Sequence, residues 1–204
     1  FELIICCGLK YFELNKVNLL ILEAGLGGRF DATTAHRLRP IIAFGQIGID
    51  HTEYLGDSLE KIAREKAAVI EKGSFVVSSE QHAIVRNIII NRVKKIGAHI
   101  CWVEPLNDNW ELGLKGNFQK HNAAVAFKVA QLLIEKGWNI EQGDIRKGLA
   151  KTKWPGRLEI IDFENKKILV DSAHNSSAAK VLSFERENWL NQEKGVYWII
   201  GVQK

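Results

Sequence analysis

Residues 74–103, "SFVVSSEQHAIVRNIIINRVKKIGAHICWV", decide the predicted fold. The apolar runs at 74–80 and 99–103 have the length and composition of buried strands. Between them, residues 82–96 have a pattern typical of a helix, and Gly97 follows where a helix would end. Two strands joined by a helix lie parallel in one sheet. The stretch therefore predicts an α/β fold with a mainly parallel sheet flanked by helices.

The chain before and after this stretch continues the alternation of strands and helices. Apolar runs predict strands at 17–23 and 40–50, and a short edge strand at 110–116. Helical spacing of apolar residues predicts helices at 1–16, 56–73, 117–137 and 141–150. In the helix at 56–73, Asp57 or Ser58 can cap the start and Gly73 can end it.

A break at Pro155-Gly156, within 152–157, predicts a boundary between two domains. We assign residues 1–153 to a central α/β domain and residues 154–204 to the start of a second α/β domain. The second domain is predicted to contain strands at 158–163 and 167–173, a helix at 177–191 and a strand at 196–201. The chain has no methionine and begins within an apolar segment, so we expect it to be an internal piece of a longer protein.

Composition restricts the classes of function. The formal net charge of +4 comes from scattered basic residues, which favours small anionic substrates over nucleic acid. The three cysteines have neither disulfide-framework nor zinc-site spacing. No apolar run is long enough to cross a membrane, and the first residues lack the features of a signal peptide.

Several acidic and histidine side chains follow predicted strands directly. Glu23 ends the run at 17–23, the pair Asp50-His51 ends the run at 40–50, and Asp171 with His174 follows a later strand. In a parallel sheet, ligands gather beyond the carboxyl ends of the strands. Glu23 and His51 could hold a divalent cation if water or phosphate oxygens completed its shell. Taken singly, each group could equally be a loop carboxylate or a structural histidine.

Two basic residues stand in positions that could be functional. Lys66 falls on the apolar face of its predicted helix, four residues from both Ile62 and Ile70. It is either a lysine whose amine reaches solvent or a functional group directed at the strand ends. Arg157 follows the Pro-Gly break and could clamp a phosphate or form an interdomain salt bridge.

The glycine-rich segment "GLGGR" (25–29) is not a phosphate-binding loop of a known pattern. The motif GxxxxGK[ST] occurs nowhere in the chain, and Phe30 stands where GxGxxG would need its third glycine. The segment by itself indicates only a tight loop with close backbone approach.

Together the motifs resemble those of one family. "LEAGLGGRFDATT" (22–34), "IGIDHTEYLGDSLEKIAREKAAVI" (47–70), "GNFQKHNAA" (116–124), "WPGRLE" (154–159) and "DSAHN" (171–175) are similar, in this order, to the folylpolyglutamate synthase/dihydrofolate synthase family of Mur ligases. The resemblance spans nearly the whole chain. It implies a cytoplasmic, monomeric, ATP- and Mg²⁺-dependent ligase that joins L-glutamate to folate or dihydropteroate through an acyl phosphate.

The resemblance also implies roles for individual residues. Glu23 and His51 match Mg²⁺ ligands, and Lys66 matches a carbamylated lysine near a second metal ion. His174 lies in the segment that closes on the reaction centre. The positions matched to the nucleotide are Gln119 and Asn122 on the adenine side, Arg157 at the phosphates and Asp171 near the ribose.

Because the family's phosphate loop is missing from the sequence, we expect the 204-residue chain alone to be inactive. Two other classes stay open at this point: a module that binds nucleotide or metal without turnover, and a metal-dependent hydrolase that uses Glu23, His51 and Lys66 to activate water.

Overall fold

The computed structural model describes residues 1–36, 38–189 and 197–201. Its main sheet has three parallel strands in the order β1 (Ile41–Phe44), β2 (Phe75–Ser79) and β3 (His99–Val103). The helices that accompany the sheet are α1 (Glu2–Leu14), α2 (Thr52–Leu55), α3 (Leu59–Ala67), α4 (Ala83–Ile96), α5 (Gln119–Glu135), α6 (Gln142–Lys151) and α7 (Ser176–Trp189). The predicted α/β class is confirmed.

The described residues form two compact units. The first contains Phe1–Ile42, His51–Val76 and His82–Ile100. The second contains Ala43–Asp50, Val77–Gln81 and the described residues from Cys101 onward. The predicted domain assignment of 1–153 and 154–204 stays a prediction.

The strand–helix–strand stretch folds as its sequence predicts. Helix α4 ends at Ile96, and Gly97 follows in the left-handed conformation at φ 72°. The Gly97 N–H donates to the Val93 carbonyl at 3.0 Å, which satisfies one of the carbonyls at the end of the helix. The chain then enters β3, where the His99 N–H donates to the Ser74 carbonyl at 2.9 Å.

The core of the first unit lies where α3 packs against α4. Ile62 of α3 and Val85 and Ile89 of α4 are completely buried. Val85, Ile89 and Val93 recur every four residues, which places them on one face of α4. Burial of these branched apolar side chains holds the two helices together.

Helix α3 is shorter than predicted, because its carbonyl end is bound by arginines well before Gly73. The Ser58 side chain caps its start, accepting a hydrogen bond from the Lys61 N–H at 3.3 Å. After Ala67, Arg39 Nε donates to the Val69 carbonyl at 3.1 Å, and Arg92 Nη2 donates to the carbonyls of Ala68 (3.2 Å) and Ile70 (3.0 Å). These bonds replace the further helical turn that the sequence predicts.

The predicted strand at 17–23 is wrong. This segment has no regular secondary structure and pairs with none of the three strands. Ile21 is 83% exposed and Leu19 43% exposed. An apolar run becomes a buried strand only where neighbouring strands take its backbone hydrogen bonds, and the described residues provide no such neighbour.

The predicted edge strand at 110–116 is also wrong. Its backbone turns toward α6, with the Gly113 N–H donating to the Leu149 carbonyl at 2.9 Å. Trp110 packs edge-to-face on Phe127 with ring centroids 4.9 Å apart, and the Arg146 guanidinium lies 4.0 Å from the centre of the Trp110 ring. Side-chain packing on α5 and α6 therefore holds this segment in place of strand pairing.

In the second unit, α5 and α6 lie close to their predicted positions, and Gly137 follows α5 at φ 91°. Two antiparallel strands, β4 (Glu159–Phe163) and β5 (Lys166–Val170), form the predicted pair, with Phe163 opposite Lys166. Glu164 and Asn165 make the two-residue turn with φ of 46° and 62°. Residue 196 of the predicted strand at 196–201 lies outside the described residues. Residues 197–201 have no regular secondary structure, and Ile199 is fully exposed.

Among the helices of the described residues, none combines the length and the apolar character needed to cross a membrane.

We expect Ile89→Ala to lower the free energy of unfolding by about 2–5 kcal/mol, because it leaves a cavity under α3. Ile84→Ala on the same helix is the matched control, since Ile84 is 45% exposed. Ile84→Ala should lower the free energy of unfolding by less than about 1 kcal/mol. Urea unfolding of both variants measures the difference, and equal losses would contradict the assignment of the α3–α4 core.

Candidate functional site

The glycine-rich segment lies directly against the end of α3. A Cβ atom on Gly28 would lie 2.7 Å from Val69 Cγ1 and 2.9 Å from the Glu65 carbonyl oxygen, so only glycine permits this approach. The neighbouring Arg29 donates from Nε to Glu65 Oε1 at 2.9 Å. The backbone of residues 25–29 is thereby fixed on the helical turn that carries Lys66.

Asp31 organises the other end of this segment. Its side chain is buried and accepts the Leu26 N–H at 2.9 Å through Oδ2. Through Oδ1 it accepts both the N–H (2.9 Å) and the hydroxyl of Thr33, which caps the short 3₁₀ turn Ala32–Ala35. One carboxylate therefore bonds to the backbone on both sides of the glycines.

Hydrogen bonding keeps Asp31 ionised. Burial favours the neutral acid, but the Thr33 hydroxyl and the backbone N–H groups of Leu26, Thr33 and Gly25 outweigh it and lower the pKa of this carboxyl. The carboxylate form therefore belongs to the folded structure of the loop.

The three predicted metal-site residues all lie in the first unit. Glu23 is exposed in the irregular segment before the glycines. His51 is exposed at the start of α2 and has a left-handed backbone with φ 50° and ψ 41°, an uncommon conformation for a residue other than glycine. Lys66 is half-buried in the last turn of α3, which leaves both interpretations of its position on the apolar face open.

No group of three or more His, Cys, Asp or Glu side chains in the described parts of the chain is placed to hold a metal ion. The available donors, one carboxylate and one imidazole, fit a Mg²⁺ ion only if most of its shell is water and phosphate oxygen. The assignment of Glu23, His51 and Lys66 to metal stays a prediction.

In the second unit, Asp171 fixes the loop that follows β5. Its Oδ2 accepts the Leu158 N–H at 3.0 Å, and its Oδ1 accepts the Ala173 N–H at 2.8 Å. The Ser172 N–H donates to the Gly156 carbonyl at 2.8 Å. The motif at 171–175 and the Pro-Gly turn are thus held together by one carboxylate and one backbone bond.

The same loop contacts the end of the segment after β1. Asn175 Nδ2 donates to Asp50 Oδ2 at 2.9 Å, and His174 Nε2 lies 3.9 Å from the same oxygen. Asn175 also caps α7, because its Oδ1 accepts the Ala178 N–H at 2.8 Å. The structure therefore brings the predicted residue His174 beside Asp50.

The predicted adenine-side residues begin α5. Gln119 is buried, and its Oε1 accepts a hydrogen bond from Asn122 Nδ2 at 3.0 Å. A Cβ atom on Gly45 would lie 3.7 Å from Asn122 Oδ1, so Asn122 borders the segment after β1. Gln81 holds that segment, donating to the Gly45 carbonyl at 2.6 Å and accepting the Ile47 N–H at 2.9 Å.

Arg157 is exposed in the turn before β4 and forms no ion pair with any residue within 1–36, 38–189 or 197–201. The alternative of a salt bridge between domains is not found in this part of the chain. The guanidinium is available to an anionic ligand.

Sequence reasoning missed three positioning residues: Asp31, Gln81 and Asn175. Two of them had a recognisable signal, because Asp31 and Asn175 precede a helical turn and are of the residue types that cap helices. Gln81 had none, since its bonds join segments 34 and 36 residues away.

No family model matches the chain. The chain is 32% identical to the dihydrofolate synthetase of Saccharomyces cerevisiae over 94% of its own length and 51% of that protein. It is 30% identical to the dihydrofolate synthase/folylpolyglutamate synthase of Bacillus subtilis over 90% of its length and 48% of that protein.

Among solved structures, the folylpolyglutamate synthase of Mycobacterium tuberculosis complexed with ADP and AMPPCP superposes with a TM-score of 0.82 at 25% identity, covering 94% of this chain and 48% of that one. The α/β fold is therefore that of the Mur ligases. Within that class, the chain resembles the dihydrofolate and folylpolyglutamate synthases, as its motifs predict. The chain spans about half the length of the curated relatives it matches.

We expect Asp31→Asn to lower the free energy of unfolding by about 1–3 kcal/mol at pH 7, because the amide cannot accept all the bonds of the carboxylate. The folded-state pKa of Asp31 is lowered, so its stabilisation is present above the unfolded value near ~3.9 and is lost as pH falls through the lower folded-state pKa. The difference in free energy of unfolding between wild type and Asp31→Asn should therefore become smaller as the pH falls below about 4.

Urea unfolding at pH 7 and near pH 3 measures this difference. Asp162→Asn is the control, because Asp162 is exposed on β4. It should change stability by less than about 0.5 kcal/mol. A difference in free energy of unfolding between wild type and Asp31→Asn that stays the same at both pH values would contradict the role given to the charge of Asp31.

Proposed function

We propose that this chain is part of an ATP-dependent ligase that adds L-glutamate to folate or dihydropteroate. The observation that carries the proposal is the 32% identity to a dihydrofolate synthetase over 94% of the chain. The nucleotide complex of the superposable M. tuberculosis enzyme supports ATP as the cosubstrate. We place the enzyme in the cytoplasm and take it to act as a monomer.

The proposed reaction has two steps. The substrate carboxylate attacks the γ-phosphorus of ATP, which forms an acyl phosphate and releases ADP. The amine of glutamate then attacks the acyl carbon, and the tetrahedral intermediate collapses to an amide with loss of inorganic phosphate. Both steps depend on positioning and on stabilising negative charge more than on covalent chemistry by the protein.

We assign the first unit to the metal and the acyl centre. Glu23 and His51 would each supply one ligand to Mg²⁺, which neutralises phosphate charge when it is bound. Lys66, half-buried in α3, would carry a carbamate and so act as a carboxylate-like group.

We assign the second unit to the nucleotide. Gln119 and Asn122, already hydrogen-bonded to each other, would bind the adenine side, and Asp171 would lie near the ribose. The exposed guanidinium of Arg157 suits the phosphates because it presents several N–H donors in a planar fork. His174 would act near the reaction centre, oriented by its place beside Asp50.

The proposal extends to the domains. We take residues 1–153 as a partial central ATPase domain and 154–204 as the beginning of a glutamate-ligase domain. Because the 204-residue sequence contains no GxxxxGK[ST] phosphate loop, we propose that this chain alone does not turn over. The same observation favours one alternative, a nucleotide- or metal-binding module without catalysis.

In a protein that joins this chain to a phosphate-binding loop, we expect sustained ADP formation, beyond one equivalent per enzyme, only when the folate substrate and glutamate are both present. The reason is that the acyl phosphate is consumed productively only by the amine. A coupled ADP assay with each substrate omitted in turn measures this. Phosphate release at full rate without glutamate would contradict the ligase, and binding of ATP without any turnover would support the module.

We expect Lys66→Ala in that protein to lower kcat by about 10²–10³-fold, because a charged group at the acyl centre is lost. Short carboxylic acids should restore part of the activity by replacing the carbamate. Lys61→Ala is the matched control, since Lys61 is an exposed residue of α3 paired with Asp57. Full activity of Lys66→Ala, or equal loss in the control, would overturn the role of Lys66.

A further inference from the structure

None of the residues given a role in the proposed ligase reaction lines a basic pocket in the first unit. It encloses about 330 Å³, within the size range of small-molecule sites. Four cations line it: Arg29 from the glycine-rich segment, Arg64 from α3, and Arg92 and Lys95 from α4. Ala67 of α3 and Ile88 of α4 give it an apolar wall.

The charge of this basic pocket is only half compensated. Arg29 pairs with Glu65 at 2.9 Å, and Arg64 pairs with Glu60 at 2.7 Å. The remaining two cations, Arg92 and Lys95, form no ion pair within the described parts of the chain. Four positive groups against two paired carboxylates leave an excess of two positive charges.

The pocket also has hydrogen-bond donors to spare. Arg29 uses only Nε in its ion pair, so its two terminal nitrogens have no partner among the described residues. Arg92 Nε is buried without a hydrogen-bond partner there, although Arg92 Nη2 is fixed on the carbonyls of Ala68 and Ile70. The Nε nitrogen of Arg92 is enclosed by protein, so the donors open to a ligand are the terminal nitrogens of Arg29.

Rigid placement distinguishes this pocket from a scatter of surface lysines. Arg92 is held by the end of α3 and Arg29 by Glu65, so two of the guanidiniums are oriented before a ligand arrives. A guanidinium presents parallel N–H groups that match the two oxygens of a carboxylate or phosphate. Pre-orientation lowers the entropic cost of binding such a group.

We propose that this pocket is a binding site for a small polyanion that carries at least two phosphate or carboxylate groups. An excess of two positive charges suits a ligand with two or more negative charges, and the pocket volume exceeds what a single inorganic phosphate fills. The apolar wall contacts the carbon skeleton or the bridging atoms between the anionic groups. The site is separate from the proposed ligase function, so binding here needs no turnover.

The experiment is isothermal titration of the 204-residue chain at constant ionic strength with two probes, tripolyphosphate and tri-γ-glutamate. The first tests phosphate and the second tests carboxylate as the source of charge. We expect saturable binding of at least one probe. Lys95→Glu should weaken it by about tenfold or more, since it removes one charge-assisted contact and introduces repulsion.

Lys94→Glu is the matched control, because Lys94 precedes Lys95 on α4 and does not line the pocket. It makes the same change in net charge and should alter the dissociation constant by less than about twofold. Arg64→Gln is a second test from the opposite helix and should also weaken binding several-fold. Thermal unfolding of each variant verifies that it is folded.

The proposal is overturned if neither probe binds saturably to the wild-type chain. It is also overturned if Lys94→Glu and Lys95→Glu weaken binding equally, because binding would then reflect net charge alone. Binding that Lys95→Glu and Arg64→Gln leave unchanged would place the anion elsewhere and would also overturn it.

Discussion

The carbonyl groups of residues 68–70 at the end of α3 are the point on which the first unit depends. Arg39 and Arg92, which come from the segment before β1 and from α4, donate to these carbonyls. Arg39 also donates to the carbonyls of Thr34 and His36. Cations at the negative end of the helix dipole end α3 at Ala67 and connect it to both neighbouring segments.

The end of α3 at Ala67 determines which groups can pack against residues 68–70. Lys66 falls in the last turn of α3, and the close approach of Gly28 is made to the carbonyl of Glu65 and the side chain of Val69. A helix that continued to Gly73 would change the backbone at 68–70 against which these groups are placed. The proposed acyl-centre residues and the basic pocket therefore share one support.

Much of this architecture was predictable from local sequence, and the reason is physical. Residues 74–103 fold as expected because apolar periodicity, a left-handed glycine and a short loop all favour the same structure. The segments at 17–23 and 110–116 are apolar too, but their state depends on partners that periodicity does not specify: strand neighbours for the first, and Phe127 and Arg146 for the second.

In the candidate site, too, some residues could be predicted from sequence and others could not. Residues in recognisable motifs, such as Asp171 and His174, could be predicted as candidates from sequence, and the structure adds the contacts that orient them. The orienting groups are side chains that bond to backbone across long separations, as Gln81 does to Gly45 and Ile47. Such bonds leave no pattern in a single sequence, because any polar residue of suitable length could make them.

The turn at Glu164–Asn165 has a consequence for the order in which the chain folds. It brings β4 and β5 together across two residues, so this hairpin can close in about 1–10 μs. Strands β1 and β2 are separated by residues 45–74, and their parallel pairing must wait for α2 and α3 to form and pack. The hairpin after the Pro-Gly turn can therefore form before β1 and β2 pair, and the sheet that carries the strand ends is completed later.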